Sequence, residues 1–502
     1  MPPSNNLFEV FRQYFPPQRN KTFLIDGSGH TISYAEMEAR SAQIAHYFLS
    51  LGLTKGDRVA VQVGKSASAL LVYLAAVRAG LIYLPLNTAY RESELRYFFA
   101  DAQPSLVICD PEDQHPIHNL LNTESVLLDV LTATGSGSLI DKVAAFATEF
   151  DSVNVDPDDL AAILYTSGTT GQPKGAMLSH GNLTSNALML KDYWGWNETD
   201  VLLHVLPIFH VHGLFVACHC VLAAGAAMIF LPGFNVDEVK AQLPNATVMM
   251  GVPTYYTRLL AQADIAVDDC RSMRLFISGS APLLETTHRQ FEQRTGHRIL
   301  ERYGMSETSM LVSNPLNGDR RVGTVGLPLP GVEVRIVDAD NVPVAVDVVG
   351  SIQVKGPNVF QGYWQMPEKT AAEFTADGFF ITGDQGTVSA EGYIAIVGRS
   401  NDMIITGGYN VYPKEVELVI DDIAGIKESA VFGIINADWG ELVTAVVVGD
   451  GSKELLSESI LEATKQRLAN YKVPKVIYFI DELPRNTMGK VQKNSLRKRF
   501  SS

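Results

Sequence analysis

The sequence predicts an α/β protein of two unequal domains: a large N-terminal domain of stacked α/β sheets plus a β-rich subdomain, and a small α+β C-terminal domain. Short apolar strands alternate with amphipathic helices along the first part of the chain, a pattern typical of parallel sheets. Beyond about Gly323 the pattern changes to strands in which apolar and polar residues alternate, separated by Gly- and Pro-rich turns. The segment Gly-Arg-Ser-Asn-Asp at 398–402 then precedes a unit of about 100 residues.

The parallel sheets are predicted from strand–helix pairs in the large domain. Each strand is a short apolar run, and the helices that follow are amphipathic. In chain order, the predicted elements are a strand at 58–64 with a helix at 66–78, a strand at 105–109, a strand at 246–252 with a helix after Pro253, and a strand at 275–278 with a helix after Pro282.

One stretch of the large domain has no charged residue between Asp200 and Asp237. It is long enough to span a bilayer, but histidines, prolines and glycines interrupt it. We expect a buried strand, loop, helix and strand instead. The first 15 residues contain no apolar core of a signal peptide. The sequence therefore predicts a soluble, cytoplasmic protein without integral membrane association.

The β-rich subdomain and the small domain follow in order. The subdomain has half-buried strands at 332–337, 351–355 and 392–397, and the small domain has a helix from Pro413, strands at 428–434 and 443–448, a helix near 455–468 and a strand at 475–480. We expect an N-terminal domain over 1–398, a connecting segment at 399–402 and a C-terminal domain over 403–502.

Composition excludes several classes of protein. Apolar residues make up 46% of the 502 residues, enough for large cores and too many for a disordered chain. The 55 acidic and 40 basic residues give the wrong sign of charge for a nucleic-acid binder. Four cysteines fit a reducing compartment better than a disulfide scaffold. Three consecutive residues, Cys218, His219 and Cys220, point in different directions on any regular element and are not expected to hold a metal.

The strongest motif is Tyr-Thr-Ser-Gly-Thr-Thr-Gly-Gln-Pro-Lys-Gly at 165–175, which follows an apolar strand at 160–164. Backbone N–H groups and hydroxyls of such a loop can wrap a phosphate, and Lys174 adds a positive charge. The Gly-Lys-Ser/Thr of a Walker loop is missing. The predicted phosphate contacts are Thr166, Ser167, Gly168, Thr169, Thr170 and Lys174.

These residues resemble the phosphate loop of the adenylate-forming enzymes, which include acyl-CoA synthetases, luciferases and peptide-synthetase adenylation domains. Further motifs of that family appear in order along the whole chain: Tyr-Gly-Met-Ser-Glu-Thr at 303–308, Ile-Thr-Gly-Asp at 381–384, Gly-Arg at 398–399 with Asp402, Gly-Gly-Tyr-Asn at 407–410, and Pro-Arg-Asn-Thr-Met-Gly-Lys at 484–490. Each motif alone is modest, but six in the right order are very specific.

The resemblance implies an ATP-dependent ligase that joins a carboxylic acid to coenzyme A and uses Mg²⁺. A carboxylate must first acquire a good leaving group, and attack on the α-phosphorus of ATP yields an acyl-adenylate and pyrophosphate. A thiol then takes the acyl group. Such chemistry needs charge stabilisation and positioning, and no nucleophile from the enzyme.

The family motifs assign roles to individual residues. Glu307 is the implied Mg²⁺ ligand, with Thr166 beside it, because Mg²⁺ prefers hard oxygen ligands. Asp384, helped by Arg399, is implied to bind the ribose hydroxyls, and Ser306 to bind phosphate. The walls of the adenine pocket are implied to be Ser280, Ala281, Pro282, Glu301, Arg302, Tyr303 and Gly304.

The small domain of the family is mobile and works in two orientations. In the first, Lys490 is the implied catalytic cation that bridges the attacking carboxylate and the α-phosphate. In the second, Gly407, Gly408 and Tyr409 are implied to line the coenzyme A tunnel. The pivot of the family is usually Asp or Lys, and Asn401 stands at this position here. The balance between the two orientations therefore stays open.

The acid is suggested by two segments and by a closer resemblance. His210 stands at the gate position of the family, and Arg258 lies one helical turn after Tyr255 on a predicted helix. A buried arginine in the acid pocket would need a carboxylate partner. Within the family, the chain most resembles bacterial ligases that activate malonate. We expect Arg258 to bind the distal carboxylate, with His210, Ser278, Gly279 and Met305 shaping the pocket.

Several alternatives remain open at this stage. Arg258 can instead point to solvent. The acid can be methylmalonate, oxalate, acetate or a medium-chain fatty acid. Loading of a carrier protein is less expected, because no carrier segment follows Ser502. A nucleotide-binding pseudoenzyme would be favoured if Lys490, Glu307 or Asp384 were missing, and all three are present. The resemblance also makes Lys490 a candidate substrate of a lysine acetyltransferase and deacetylase.

Overall fold

A computed structural model describes residues 4–121, 126–166, 173–406, 409–436, 439–486 and 489–501, and all but the side chain of Asn401 within these ranges. Its elements follow the predicted alternation. In the first 150 residues they are α1 (Leu7–Arg12), β1 (Thr22–Asp26), β2 (Thr31–Ser33), α2 (Tyr34–Ser50), β3 (Arg58–Gln62), α3 (Ala67–Arg78), β4 (Ile82–Pro85), α4 (Glu92–Ala102), β5 (Leu106–Cys109), α5 (Gln114–Leu121), β6 (Leu127–Val130) and α6 (Ser138–Val143).

The middle of the chain repeats the strand–helix order. Its elements are β7 (Leu160–Thr166), β8 (Lys174–Ser179), α7 (His180–Tyr193), β9 (Val201–His204), α8 (His219–Ala224), β10 (Ala227–Phe230), α9 (Val236–Gln242), β11 (Val248–Gly251), α10 (Pro253–Ala261), β12 (Leu275–Ser278), α11 (Glu285–Thr295), β13 (Leu300–Met305), β14 (Ser309–Ser313) and β15 (Leu327–Pro328). A π-helical segment, His212–Cys218, precedes α8.

The remaining elements form the β-rich subdomain and the small domain. They are β16 (Glu333–Val337), β17 (Gly350–Lys355), α12 (Pro367–Ala372), β18 (Phe380–Val388) and β19 (Ile394–Arg399), followed by β20 (Ile404–Thr406), β21 (Tyr409–Val411), α13 (Pro413–Asp421), β22 (Ile426–Asn436), β23 (Gly440–Gly449), α14 (Lys453–Arg467), β24 (Val476–Phe479) and α15 (Lys493–Phe500). A 3₁₀ turn, Ser400–Asp402, links the two parts.

Two large, mainly parallel sheets form the N-terminal domain. One has nine strands in the order β15-β14-β13-β12-β11-β9-β10-β1-β2, and the other has six in the order β6-β5-β3-β4-β7-β8. Strands at the edges pair antiparallel, as β7 does with β8 and β13 with β14. The third sheet, β16-β17-β18-β19, is antiparallel throughout. The α/β class with a β-rich subdomain is therefore confirmed.

The main apolar core of the large domain surrounds α3 and the segment from β9 to β10. Helix α3 is buried from Ser68 to Arg78, so the amphipathic helix predicted at 66–78 is wrong: nearly all of its side chains are apolar and no face is left for water. The uncharged stretch forms β9, the π-helical segment, α8 and β10, all packed in this core. In the part of the chain that the structure describes, no helix is long and apolar enough to cross a membrane.

This topology gathers loops at one edge of the nine-stranded sheet. Strands β9, β11, β12 and β13 run parallel, so their carboxyl ends meet at the same edge. The loops that follow three of these strands carry His210, the start of α10, and Ser280. Ligands of open α/β sheets bind at this edge, and the predicted site residues converge there.

Candidate active site

The predicted ribose site is built by two adjacent strands. Asp384 on β18 and Arg399 on β19 are register partners, and Arg399 Nε lies 2.7 Å from Asp384 Oδ1. The hydroxyl of Tyr303 donates a hydrogen bond to Asp384 Oδ2. Burial alone would lower the pKa of Arg399, but Asp384, Tyr303 and Glu307 raise it overall. Asp384 is thus a buried carboxylate that a fixed cation and a hydroxyl hold in place.

The predicted metal ligand lies in a linked group of polar side chains. Glu307 is buried, and burial raises its pKa. The hydroxyl of Tyr363 lies 3.2 Å from Glu307 Oε1 and 2.6 Å from Glu373 Oε2. Lys174 Nζ lies 2.9 Å from Glu373 Oε1. Sequence motifs identified Glu307 and Lys174 but missed Tyr363 and Glu373, which are far away along the chain and carry no motif of their own.

The phosphate loop is closed by a hairpin. Thr166 ends β7 and is the register partner of Lys174, which begins β8, so the residues between them leave and return at neighbouring points. Ser167, Gly168, Thr169 and Thr170 lie outside the residues that the structure describes, and their predicted phosphate contacts stay predictions.

The loop after β12 is held in an unusual conformation. Ser280 has φ 69°, in the left-handed region, and its Oγ lies 3.3 Å from His212 Nδ1. Glu301 supports this loop from below, because its Oε1 accepts a hydrogen bond from Leu283 N, and burial raises the pKa of Glu301 to about 7. Ala281 is half-buried and Pro282 is exposed at the rim. The carboxylate of Glu301 thus serves the loop rather than a free binding surface.

The gate histidine lies in a neutral state beside a cation. Burial and the charge of Arg302 lower the pKa of His210 to about 4. His210 Nδ1 accepts a hydrogen bond from His212 N at 3.3 Å. The pKa of His212 is also lowered, by burial and by Arg302. Both imidazoles are therefore neutral at neutral pH, and Arg302 is the charged side chain beside them.

Arg302, predicted to line the adenine pocket, lies beside the residue that precedes Ser280, and its role in that pocket stays a prediction. Its side chain is only 3% exposed, and the guanidinium lies against Gly279, where an added Cβ would be 2.4 Å from Arg302 Cζ. The charge of Arg302 acts on His210 and His212, and its side chain points away from Asp384. The reason is strand alternation: Tyr303 reaches Asp384, so the preceding side chain points to the other face.

The expected burial of Arg258 is wrong. Tyr256 is the buried residue of this helical turn, and its hydroxyl donates a hydrogen bond to Ile277 O at 2.6 Å. Tyr255 stacks on Phe234 with ring centroids 4.1 Å apart. Arg258 lies on the outer side of α10 and is exposed. Helical spacing alone could not show which side of α10 faces the core.

The remaining residues of β13 end beside the same pocket. Gly304 has no room for a side chain, because an added Cβ would lie 2.0 Å from Ser309 O. Met305 and Ser306 are half-buried at the end of the strand. Met305 is the register partner of Ser309 on β14, and the predicted roles of Met305 and Ser306 stay predictions.

Lys490 reaches this edge from the small domain. Its loop is a tight turn in which Asn486 N bonds to Lys490 O at 2.9 Å and Gly489 has φ 74°. An added Cβ on Gly489 would lie 3.1 Å from Thr254 Oγ1, so the turn rests on the start of α10. The surrounding protein and Arg399 lower the pKa of Lys490, although its side chain remains accessible to solvent in the cleft.

The predicted coenzyme A residues face away from this cleft or are not described. Gly407 and Gly408 lie outside the described ranges. Tyr409 is 58% exposed and stacks on Tyr471 of its own domain, with ring centroids 4.6 Å apart. Asn401 lies in the 3₁₀ turn between β19 and β20. In this arrangement the charges of Arg399 and Asp384 act on Lys490, whereas Tyr409 contacts its own domain.

Metal-ligating residues do not gather into a preformed cluster. Within the described ranges, no group of three or more His, Cys, Asp or Glu side chains is placed to hold an ion. Cys218 and His219 have separate neighbours: Cys218 Sγ lies 3.3 Å from His204 Nε2, and His219 Nε2 lies 2.7 Å from the Tyr73 hydroxyl. A cation at Glu307 would need most of its oxygen ligands from a bound phosphate and water.

Comparison with known proteins places this geometry in a family. The family model described as AMP-binding enzyme matches residues 11–364, and the model of the AMP-binding enzyme C-terminal domain matches 415–490. A malonate–CoA ligase of Arabidopsis thaliana is 35% identical, over 99% of this chain and 89% of that protein.

Solved structures agree over the full length. The ATP-bound crystal structure of MatB from Rhodopseudomonas palustris is 50% identical, covers 99% of both chains and has a TM-score of 0.96. The apo crystal structure of the same protein, with the same identity and coverage, has a TM-score of 0.87. The chain belongs to the family of AMP-binding enzymes.

Proposed function

We propose that this protein is an ATP-dependent malonyl-CoA synthetase, which converts malonate, ATP and coenzyme A into malonyl-CoA, AMP and pyrophosphate through malonyl-adenylate. The observation that carries the proposal is the position of Lys490, which the small domain brings to the cleft beside the Asp384–Arg399 pair. Full-length similarity to ligases named for malonate supports the choice of acid.

The first half-reaction needs one carboxylate oxygen of malonate in line with the α-phosphorus of ATP. Asp384, fixed by Arg399, accepts hydrogen bonds from the ribose hydroxyls and holds the nucleotide in place. Lys490 stabilises the charge that develops as the oxygen–phosphorus bond forms and pyrophosphate leaves. The arrangement matches the ATP-bound MatB structure more closely than the apo structure, which supports adenylation as the step represented here.

The triphosphate is assigned to the loop between β7 and β8. Lys174 is the charged residue at its end, and the Glu373 carboxylate that it now contacts can hold it ready for the phosphates. Glu307 fits a Mg²⁺ ligand, because it is a buried carboxylate with one hydroxyl neighbour and no cation within salt-bridge distance among the described residues. When bound, Mg²⁺ neutralises charge on the phosphates. Thr166 is the second residue that would lie beside it.

The second half-reaction needs a different arrangement. The thiol of coenzyme A attacks the carbonyl carbon of malonyl-adenylate, a carbon–sulfur bond forms, and AMP leaves. Rotation of the small domain about Asn401 would remove Lys490 and bring Gly407, Gly408 and Tyr409 to the site. His210, neutral at physiological pH, can then act as a gate without competing for the anionic substrates.

Two further assignments belong to the same proposal. Acetylation of Lys490 by a lysine acetyltransferase would remove the catalytic charge, and a deacetylase would restore it. Solvent access to this side chain supports such modification. The four cysteines are all buried and free, which supports a reducing compartment such as the cytoplasm.

A panel of acids tests the proposed substrate. ATP-dependent consumption of coenzyme A and release of AMP are measured with malonate, methylmalonate, oxalate, acetate and octanoate at matched concentrations. We expect the highest kcat/KM with malonate and products in equal amounts. Reactions without ATP or without Mg²⁺ serve as controls. A higher kcat/KM with acetate or octanoate would contradict the proposal.

A further inference from the structure

The turn that carries Lys490 is held in shape by hydrogen bonds within itself. Asn486 N donates to Lys490 O and Gly489 N donates to Asn486 O, both at 2.9 Å. Lys490 N donates to Asn486 Oδ1 at 2.9 Å, and Arg485 pairs with Val491 in an antiparallel bridge at the base. Because these bonds join residues of the turn to one another, they do not fix where the turn lies on the small domain.

The side chain of Arg485 links this turn to the sheet of the small domain. Its Nη1 donates a hydrogen bond to Gly489 O at 2.6 Å, and its Nη2 pairs with Glu428 Oε2. Glu428 belongs to β22 and is the register partner of Val448 on β23, so its position is fixed by the sheet. One guanidinium thus joins the carbonyl that precedes Lys490 to a carboxylate 57 positions away along the chain.

The chemistry of arginine suits such a link. A guanidinium carries its N–H groups in a rigid plane, so it can donate to two acceptors at fixed angles. The side chains of Arg485 and Glu428 are only 24% and 25% exposed, which shields the pair from water more than an open surface would. Glu428 also offsets the charge of Arg485, so this cation can lie beside Lys490 with its own charge compensated.

The turn also contacts the large domain. An added Cβ on Gly489 would lie 3.1 Å from Thr254 Oγ1 at the start of α10. That contact depends on how the two domains are docked, whereas the link through Arg485 joins two parts of the small domain and moves with them. The link can therefore place Lys490 each time the small domain adopts the orientation for adenylation.

We propose that Arg485 is a positioning residue for adenylation: it ties Gly489 O to Glu428 and thereby holds the Lys490 ammonium where the acid and the α-phosphate react. The proposal rests on the function proposed above, which gives Lys490 its role. A group that stabilises a transition state must be held close to its productive position, so loss of the link should slow the step that uses Lys490. Acyl transfer to coenzyme A does not use Lys490 and should not depend on the link.

Separate measurement of the two half-reactions tests the link, with the acid that the unchanged enzyme uses best. Arg485→Gln should slow pyrophosphate release about 30-fold, whereas acyl transfer from added acyl-adenylate to coenzyme A should change by less than about 2-fold. Arg485→Lys can reach one of the two acceptors at a time, so adenylation should recover to within about 5-fold of the unchanged enzyme. A variant that had only lost stability would lower both rates together.

Glu428→Gln removes the other end of the link and keeps the test decisive if Arg485→Gln does not fold. It should slow adenylation about 10-fold, and the double variant should be no slower than Arg485→Gln alone, because both changes break one link. Lys427→Gln is the matched control. Lys427 is the neighbouring residue on β22 and forms an exposed pair with Asp450, so both of its rates should stay within about 2-fold of the unchanged enzyme.

A measurement without any acid separates this proposal from the proposed function. Hydrogen exchange of the Gly489 and Lys490 amides in the unliganded enzyme should be about 10-fold faster in Arg485→Gln than in Lys427→Gln. If the unchanged enzyme prefers another acid or forms no adenylate, the proposed function fails, and the exchange rates still decide whether Arg485 holds the turn. Unchanged exchange rates, or equal losses in both half-reactions, would overturn the role of Arg485.

Discussion

Two cations among the predicted site residues, Arg302 and Lys490, are held in opposite ways. Arg302 is 3% exposed on a strand inside the nine-stranded sheet, where the whole large core fixes it. Lys490 lies on an exposed turn of the small domain and reaches the cleft only because that domain is docked. One cation is thus fixed by the interior of the large domain, whereas the position of the other depends on how the small domain docks.

The interiors of the two domains also differ, in the size of their apolar cores. The large domain has a continuous apolar core in which α3 is covered on every side. The small domain packs two thin apolar clusters on either side of one sheet, and beside them Lys493 Nζ lies 2.6 Å from Oε1 of the buried Glu417. Because a small domain buries less apolar area, a single buried carboxylate without its cation should cost it a larger share of its stability.

The largest loss of activity should come from removing the ammonium group of Lys490. Lys490→Ala should lower the rate of malonyl-adenylate formation about 1,000-fold, equivalent to about 4 kcal/mol of transition-state stabilisation. Pyrophosphate release measures this step. Transfer of the acyl group from added malonyl-adenylate to coenzyme A should be nearly unchanged, because Lys490 is not needed there. Equal losses of rate in adenylate formation and in acyl transfer would contradict a role of Lys490 in the first step alone.

Lys498→Ala is the matched control for that variant. Lys498 is an exposed lysine on α15 in the same basic tail, so its loss changes the net charge equally. The rates of both half-reactions of this variant should stay within about 2-fold of those of the unchanged enzyme, as for most surface charges.

A smaller effect is expected from breaking the charged pair of the small domain. Lys493→Met leaves Glu417 buried without its cation and should lower the free energy of unfolding of that domain by about 3 kcal/mol. Urea unfolding followed by hydrogen exchange in β22 and β23 measures it. Lys498→Met is the control, and equal behaviour of the two variants would contradict the assigned role of the pair.

The smallest effect is the pH dependence of the free energy of unfolding, and it has opposite sign in the two domains. Burial lowers the pKa of His180 and His210 to about 4 and that of His219 to about 3, so these residues favour the folded large domain above pH 6.5 and lose that contribution as pH falls. Burial raises the pKa of Asp421 to about 7, so its contribution to the small domain is lost as pH rises towards 7.

Asp421→Asn isolates the small-domain part of this contrast. The gain in free energy of unfolding should grow from pH 4 to pH 7 and level off at about 1 kcal/mol, since the side chain is only half-buried. Urea unfolding at four pH values measures it, with the exposed Asp481→Asn as control. A gain that shrinks as pH rises would contradict the sign.

Local patterns predicted most of the strands and helices, because periodicity and turn residues are properties of neighbouring residues. They could not show that Arg258 is exposed. That depends on which side of α10 packs inward, which is set by the sheet that Tyr256 contacts. The contact of Lys174 with Glu373 was missed for the same reason, since the two residues are 199 positions apart.

Strand β13 separates two groups of contacts that a mutation can affect. Its consecutive side chains lie on opposite faces: Tyr303 contacts Asp384, and Arg302 lies against Gly279. A substitution at 302 can therefore alter the region beside Gly279 and leave the contact of Tyr303 with Asp384 in place. A one-residue insertion before Arg302 would exchange the two faces and disturb both contacts together.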